Sequence, residues 1–98
     1  MFRLDTDEVT INDIKFRKDQ RFGEDTLVTF TDDKEYAVAI GRDLYDEYYD
    51  DSFVIQVMQR EGDSDAYELY QETISIPSHF LKKTVTQIYQ DFNKVFLQ

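Results

Sequence analysis

Residues 53–58 read Phe-Val-Ile-Gln-Val-Met, and this stretch decides the fold. Its apolar side chains fall on both faces of an extended chain, which is typical of a central strand covered by a helix on one side and partly covered on the other. The cluster Glu61-Gly62-Asp63-Ser64-Asp65 follows. Because these residues favour turns, the chain is predicted to reverse there into another strand at 66–76.

Earlier segments also predict strands. Leu27, Val28 and Phe30 lead through the polar residues 31–34 to a second alternating run at 36–40, which predicts a hairpin. Residues 9–18 predict a first strand, with a turn or a bulge at Asn12-Asp13. The expected sheet is therefore an antiparallel meander of four to five strands.

The hydrophobic period changes at the C-terminus. Pro77 and Ser78 form a helix start signal, with Ser78 as the expected N-cap. Beyond them, apolar residues recur at spacings of three to five up to Phe96, which predicts an amphipathic helix over 78–97. With the sheet in residues 1–76, the expectation is one α+β domain over residues 1–98, with one sheet face covered by that helix.

Composition agrees with a folded single domain. The chain has 98 residues, 41% of them hydrophobic, which is too apolar for the disordered class despite a net charge of −10. It contains no cysteine and no apolar run of signal-peptide or membrane-spanning length. The sequence therefore predicts a cytoplasmic protein that is not bound to a membrane.

The charge is concentrated in one segment. Residues 43–72 carry ten carboxylates and one cation, Arg60. Direct binding to nucleic acid is not expected, because that affinity comes mainly from neutralising phosphates. The densest cationic cluster, Lys15, Arg17, Lys18 and Arg21, is interrupted by an acid at position 19 and is not expected to overcome this repulsion.

No catalytic or metal site is predicted. Adjacent acids such as Asp32-Asp33 lie in polar turn contexts, whereas paired catalytic carboxylates need burial that separates their pKa values. Asp63, Asp65 and Glu68 lack the register of a calcium loop. One histidine, His79, and no cysteine leave no ordinary zinc site. We therefore expect no enzyme activity and no cofactor.

The acidic segment is the predicted binding site. Residues 43–51 read Asp-Leu-Tyr-Asp-Glu-Tyr-Tyr-Asp-Asp, which interleaves five negative charges with three tyrosines. Tyrosine is enriched at binding hot spots. The alternative is a solvated loop or a short surface helix. A second acidic group follows the 53–60 strand, about 25 Å away at ~3.3 Å per residue. The predicted partner-binding residues are Asp43, Tyr45, Asp46, Glu47, Tyr48, Tyr49, Asp50, Asp51, Glu61, Asp63, Asp65 and Glu68.

Two functions of different classes fit this pattern. The first is a non-enzymatic inhibitor that mimics nucleic acid, so that its carboxylates fill the nucleic-acid-binding groove of a basic protein partner. Small phage-type inhibitors of restriction or CRISPR nucleases and immunity proteins share this general character, although no motif assigns the chain to such a family. The second is a structural or accessory subunit of a phage or bacterial complex that oligomerises through an aromatic face.

Overall fold

The computed structural model describes residues 4–23, 25–42 and 52–93. Within these residues, six strands and one α-helix follow each other: β1 (Glu8–Ile11), β2 (Ile14–Lys18), β3 (Leu27–Phe30), β4 (Tyr36–Arg42), β5 (Ser52–Arg60), β6 (Tyr67–Pro77) and α1 (Ser78–Phe92). All six strands form one antiparallel sheet in the order β1-β2-β3-β4-β5-β6. The predicted α+β meander is confirmed, with six strands instead of four to five.

The additional strand comes from the first predicted segment. Ile11 of β1 pairs directly with Ile14 of β2, so Asn12 and Asp13 form a two-residue hairpin turn. Their φ angles are 49° and 68°. Asn and Asp tolerate this left-handed region better than other non-glycine residues, and two such residues in succession suit a tight hairpin. The single strand predicted over 9–18 is therefore two strands.

The main core lies between the sheet and α1. Phe53, Ile55 and Val57 of β5 are fully buried, and the last two pair with Ile40 and Val38 of β4. Leu81 and Val85 of α1 are also fully buried. Their spacing of four places both side chains on one face of the helix, which is the face the periodicity predicted. Burial of these side chains from both layers holds the helix on the sheet.

The N-cap of α1 differs from the prediction. Pro77, not Ser78, occupies the N-cap position, and no side chain caps it. α1 ends at Phe92, since Asn93 leaves the helical conformation with ψ at 51°. Residues 94–97 of the predicted helix lie outside the described residues. The Asn93 side-chain oxygen accepts a hydrogen bond from the Asp32 N–H at 2.7 Å. This contact ties the end of the helix to the turn between β3 and β4.

The second face of the sheet is partly covered by the chain itself. Between β2 and β3, the connection forms a short 3-10 turn, Gln20–Phe22, and Phe22 packs on this face. Beneath it lie Val28, Ala37 and Ala39, which are buried. The partial cover predicted from residues 53–58 thus comes from a connection between strands.

The strand order brings two turns to one end of the sheet. Tyr36, the first residue of β4, pairs with Gln59 near the end of β5, so turns 31–35 and 61–66 are neighbours. Arg42 pairs with Phe53 at the opposite end. In the described part of the chain, no helix has the length and apolar character needed to cross a membrane.

Candidate functional site

The predicted binding residues divide into two sets. Residues Asp43, Tyr45, Asp46, Glu47, Tyr48, Tyr49, Asp50 and Asp51 lie outside the described residues, and their role stays a prediction. The other four, Glu61, Asp63, Asp65 and Glu68, are described and exposed to solvent. Three of these lie in the β5–β6 connection at 61–66, which we call the acidic turn, and the fourth lies on β6.

The acidic turn is closed by its own hydrogen bonds. The Glu61 N–H donates to the Ala66 carbonyl at 2.9 Å, and the Ser64 hydroxyl donates to the Glu61 carbonyl at 2.6 Å. Gly62 has a φ of 58°, a conformation that glycine adopts without strain. The Ala66 N–H also donates to the Ser64 hydroxyl, at 3.2 Å. Glu61, Asp63, Asp65 and Glu68 make no ion pair with another described residue.

A cation holds the acidic turn from outside. The Arg21 Nη1 donates to the Asp65 backbone carbonyl at 3.1 Å. The same guanidinium donates to both carboxylate oxygens of Asp19, from Nε at 3.1 Å and from Nη2 at 2.8 Å. This hydrogen-bonded pairing lowers the pKa of Asp19 and raises the pKa of Arg21. Arg21 therefore forms an ion pair with Asp19 and uses an Nη1 N–H to hold the turn.

Three rings surround the Arg21 side chain. The aromatic cluster of Phe22, Phe30 and Tyr67 has ring centroids 5.5 to 6.0 Å apart. The Arg21 guanidinium carbon lies 5.4 to 5.9 Å from each centroid, within the range of a cation–π interaction. The Tyr67 hydroxyl donates to the Lys34 carbonyl at 2.7 Å, and burial raises the pKa of Tyr67. These aromatic rings thus contact one another and Arg21 of the same chain.

The neighbouring turn at 31–35 is also acidic, but two of its acids bind other groups of this chain. The Asp33 carboxylate accepts from the Thr31 hydroxyl at 2.6 Å and from the Glu35 N–H at 3.0 Å. The hydrogen bond from Thr31 is the main reason that the pKa of Asp33 is lowered. Glu35 forms an ion pair with Arg60. Asp33 and Glu35 therefore act mainly in holding β3, β4 and β5 together.

Sequence reasoning missed a second feature of this surface. Leu69, Tyr70 and Ile74 on β6 are 55%, 54% and 62% exposed. The sequence predicts a strand at 66–76, and among the described strands β6 lies at the edge of the sheet. The Tyr70 ring contacts the rings of Tyr36 and Phe92. Sequence alone gives no signal that separates an edge strand from a central one here.

Other residues offer little chemistry. His79 is exposed, and its ring lies 4.3 Å from the Phe80 ring. No group of three His, Asp or Glu side chains within residues 4–23, 25–42 and 52–93 is arranged to hold a metal ion. The described acids form an exposed surface, which can attract a cationic protein.

Comparisons with protein-family models, with curated proteins and with solved structures each give no match.

Proposed function

We propose that this protein is a small, acidic, non-enzymatic binding protein that acts in the cytoplasm by mimicking nucleic acid. In this role it occupies the nucleic-acid-binding groove of a basic protein and inhibits it, as a phage-type inhibitor of a restriction or CRISPR nuclease or an immunity protein would. The partner is a cationic protein. The nucleic acid itself is not bound.

One observation carries the proposal. Arg60 is the only cation among the thirty residues from 43 to 72, and the structure pairs it with Glu35, which lies outside that segment. The segment's other charges are ten carboxylates. Its described acids in the acidic turn face solvent without an ion-pair partner among the described residues. The negative field of the segment therefore remains available to a cationic partner.

The arrangement of the acidic turn adds support. A mimic has to hold its charges in a fixed pattern, because a flexible loop loses conformational entropy when it binds. Hydrogen bonds within the turn and from Arg21 restrain the backbone at Glu61 and Asp65. Duplex DNA carries a charge every ~1.7 Å of helix axis, so closely spaced and restrained carboxylates are the feature that such a groove recognises.

The test starts from a basic nucleic-acid-binding protein captured with the full chain from host lysate. We expect the captured protein to bind either this chain or its nucleic acid, but not both, in a competition titration. A variant with Asp46→Asn, Glu47→Gln, Asp50→Asn and Asp51→Asn should weaken binding and reduce its dependence on salt. A second variant with Glu61→Gln, Asp63→Asn, Asp65→Asn and Glu68→Gln tests the described group in the same way.

A matched control removes four acids elsewhere. The variant Asp7→Asn, Asp13→Asn, Asp25→Asn and Asp91→Asn makes the same change in net charge at exposed positions, and it should retain most of the affinity. A ternary complex of the chain, its partner and nucleic acid would contradict mimicry. Equal losses in all three variants would show that only net charge matters.

A second candidate function is a structural or accessory subunit of a phage or bacterial complex. The exposed aliphatic side chains Leu69 and Ile74 on the edge strand favour it, because subunit interfaces bury apolar side chains of this kind. Light scattering of the full chain separates the two candidates. A stable symmetric oligomer that Leu69→Ser with Ile74→Ser disrupts supports the subunit, whereas a monomer that remains monomeric at high concentration speaks against it.

A further inference from the structure

A β-bulge changes the direction of side chains along β6. Its pairing with β5 skips Tyr70, since Leu69 pairs with Met58 and Glu72 pairs with Gln56. Leu69 and Glu72 are three positions apart, and in a regular strand an odd spacing places two side chains on opposite faces. The extra residue of the bulge shifts the alternation by one, so these two side chains point to the same face.

That face is the second face of the sheet, on the side away from α1. Met58, the partner of Leu69, packs there against the buried residues of this face. Thr73 pairs with Ile55, whose side chain is buried in the core below α1. The next residue, Ile74, therefore points to the second face. We call three exposed side chains of β6 on this face the edge row: Leu69, Glu72 and Ile74.

The edge row places a charged group between two apolar ones. Leu69 and Ile74 are 55% and 62% exposed, with Glu72 between them. Each step along the row spans two strand positions, so consecutive members lie about 6.6 Å apart at ~3.3 Å per residue. The Glu72 carboxylate accepts a hydrogen bond from the Gln56 side-chain amide at 2.7 Å and forms no ion pair with another described residue. Two apolar contact points thus flank one carboxylate.

The surroundings of the edge row are negative. Residues 61–77 carry five carboxylates and no lysine or arginine. Two cations lie at the end of β6 that adjoins the aromatic cluster, and each has an acidic partner. Arg21 pairs with Asp19, and Arg60 pairs with Glu35. A cationic occupant is therefore attracted to this surface, whereas nucleic acid and anionic lipid are repelled.

A second copy of the chain fits the edge row less well. In a two-fold contact the same surface faces itself, which would bring the carboxylates of both copies together with no cation of residues 61–77 between them. The backbone is also irregular, with the bulge at Tyr70 and a φ of 57° at Ser75. Such irregularities discourage the pairing of a new strand with a sheet edge. We therefore expect side chains to carry the contact.

We propose that the edge row binds a segment of a basic protein in which two apolar side chains flank a lysine or an arginine. The cation lies opposite Glu72, and the apolar side chains cover Leu69 and Ile74. This inference rests on the proposed function, because the segment belongs to the same basic partner. Charge then attracts the partner, and apolar burial at two points adds affinity that salt does not screen.

The test is a titration of the ¹⁵N-labelled full chain, followed by NMR, with the peptide acetyl-Lys-Leu-Ser-Lys-Ser-Leu-Lys-amide. Alternate residues of an extended peptide share a face, so its two Leu flank the central Lys at the spacing of the edge row. We expect the largest shifts at the amides of Leu69, Glu72 and Ile74. A peptide with Ser in place of each Leu and a peptide with Glu in place of each Lys should each bind at least tenfold more weakly.

Variants of the chain separate the apolar contribution from the charge. Leu69→Thr with Ile74→Thr keeps strand propensity and should weaken binding at least tenfold, at low and at high salt alike. Its control, Phe80→Gln, removes another exposed apolar side chain and should bind the peptide within threefold of the native chain.

A second pair of variants tests the carboxylate. Glu72→Gln should weaken binding and reduce its dependence on salt. Glu68→Gln removes the same charge from the opposite face, since Glu68 is the neighbour of Leu69 along the strand. This control should bind the peptide within threefold of the native chain.

Several outcomes would overturn the proposal. Equal binding of the Leu and Ser peptides would leave only a charge site, and equal binding of the Lys and Glu peptides would remove the charge requirement. Shifts along the edge row that depend on protein concentration without peptide would assign it to a second copy of the chain. Equal losses in Glu72→Gln and Glu68→Gln would show that net charge alone acts.

Mimicry itself is decided by a different measurement, the competition between this chain and nucleic acid for the captured partner. A ternary complex would contradict mimicry and leave the peptide result standing. Failure of the peptide to bind would overturn the role of the edge row and leave the competition result standing.

Discussion

The Arg21 guanidinium donates a hydrogen bond of 3.1 Å to the Asp65 carbonyl, across 44 positions of sequence. It joins the connection between β2 and β3 to the acidic turn, two segments that adjoin neither in sequence nor in strand order. The bond uses a backbone oxygen, so the Asp65 carboxylate is not consumed by it. A cation thus positions part of an acidic surface without neutralising it.

Replacing Arg21 with Ala should lower the free energy of unfolding by about 1–3 kcal/mol, because the change removes charge-assisted hydrogen bonds and the cation–π contacts with the aromatic cluster. Urea denaturation measures the loss. Arg21→Lys should recover only part of it, since lysine lacks the planar fork that engages both oxygens of Asp19.

Arg17→Ala is the matched control for Arg21. Arg17 is also ion-paired, but its side chain is 67% exposed and its partner Glu8 is 41% exposed. Such pairs contribute about 0–1 kcal/mol. The amide of Glu61, which is hydrogen-bonded inside the acidic turn, should exchange with solvent faster in Arg21→Ala and not in Arg17→Ala. Equal destabilisation by both changes would contradict a specific role for Arg21.

Truncating a side chain on the buried face of α1 should lower the free energy of unfolding. Leu81 is fully buried between α1 and the sheet, and Leu81→Ala should lower the free energy of unfolding by about 2–5 kcal/mol through lost burial and the cavity that remains. Gln90→Ala, at an exposed position of the same helix, should change it by less than about 0.5 kcal/mol. Thermal or urea unfolding of both variants decides whether α1 is a docked layer.

Glycine at position 13, in the β1–β2 turn, should raise the free energy of unfolding. Asp13 has a φ of 68°, a conformation that costs an L-residue roughly 1 kcal/mol and glycine very little. Asp13→Gly should therefore raise the free energy of unfolding by about 0.5–1 kcal/mol, and Asp13→Val should lower it by about 1–2 kcal/mol. The same sign of change for both variants would show that the turn does not have this conformation in solution.

The pKa of Asp33 should depend on Thr31. The Thr31 hydroxyl lowers the pKa of Asp33 below that of an unfolded aspartate. A lowered folded-state pKa stabilises the protein above the unfolded pKa of about 3.9, and this stabilisation is lost as pH falls through the folded value. Thr31→Val should raise the pKa of Asp33, as followed by NMR of its carboxyl carbon.

The buried Thr29 supplies the control for Thr31. Thr29→Val should leave the Asp33 titration where it is, because the hydrogen bonds to the Asp33 carboxylate come from Thr31 and Glu35. The stability difference between the native chain and Asp33→Asn should also shrink as the pH falls below about 4. A difference that grows in acid would have the wrong sign.

Local sequence determined the architecture of this protein to a large extent. Short apolar or alternating segments at 27–30, 36–40 and 53–58, separated by polar turns, predict strands, and the spacing of three to five after Pro77 predicts a helix, because side chains repeat every two residues along a strand and about every 3.6 along a helix. Asn12-Asp13 marked the place of a break. The pairing of Ile11 with Ile14 shows that this break is a hairpin turn.

Tertiary structure decided where the candidate surfaces lie. Strand order put the turns at 31–35 and 61–66 side by side and placed β1 and β6 at the two edges of the described sheet. Arg21 reads in sequence as one of a cluster of cations, yet its contacts with Asp65 and the aromatic cluster come from a connection folded over the second sheet face. Side chains this far apart in sequence meet only because the packed strands bring them together, and no local period records that.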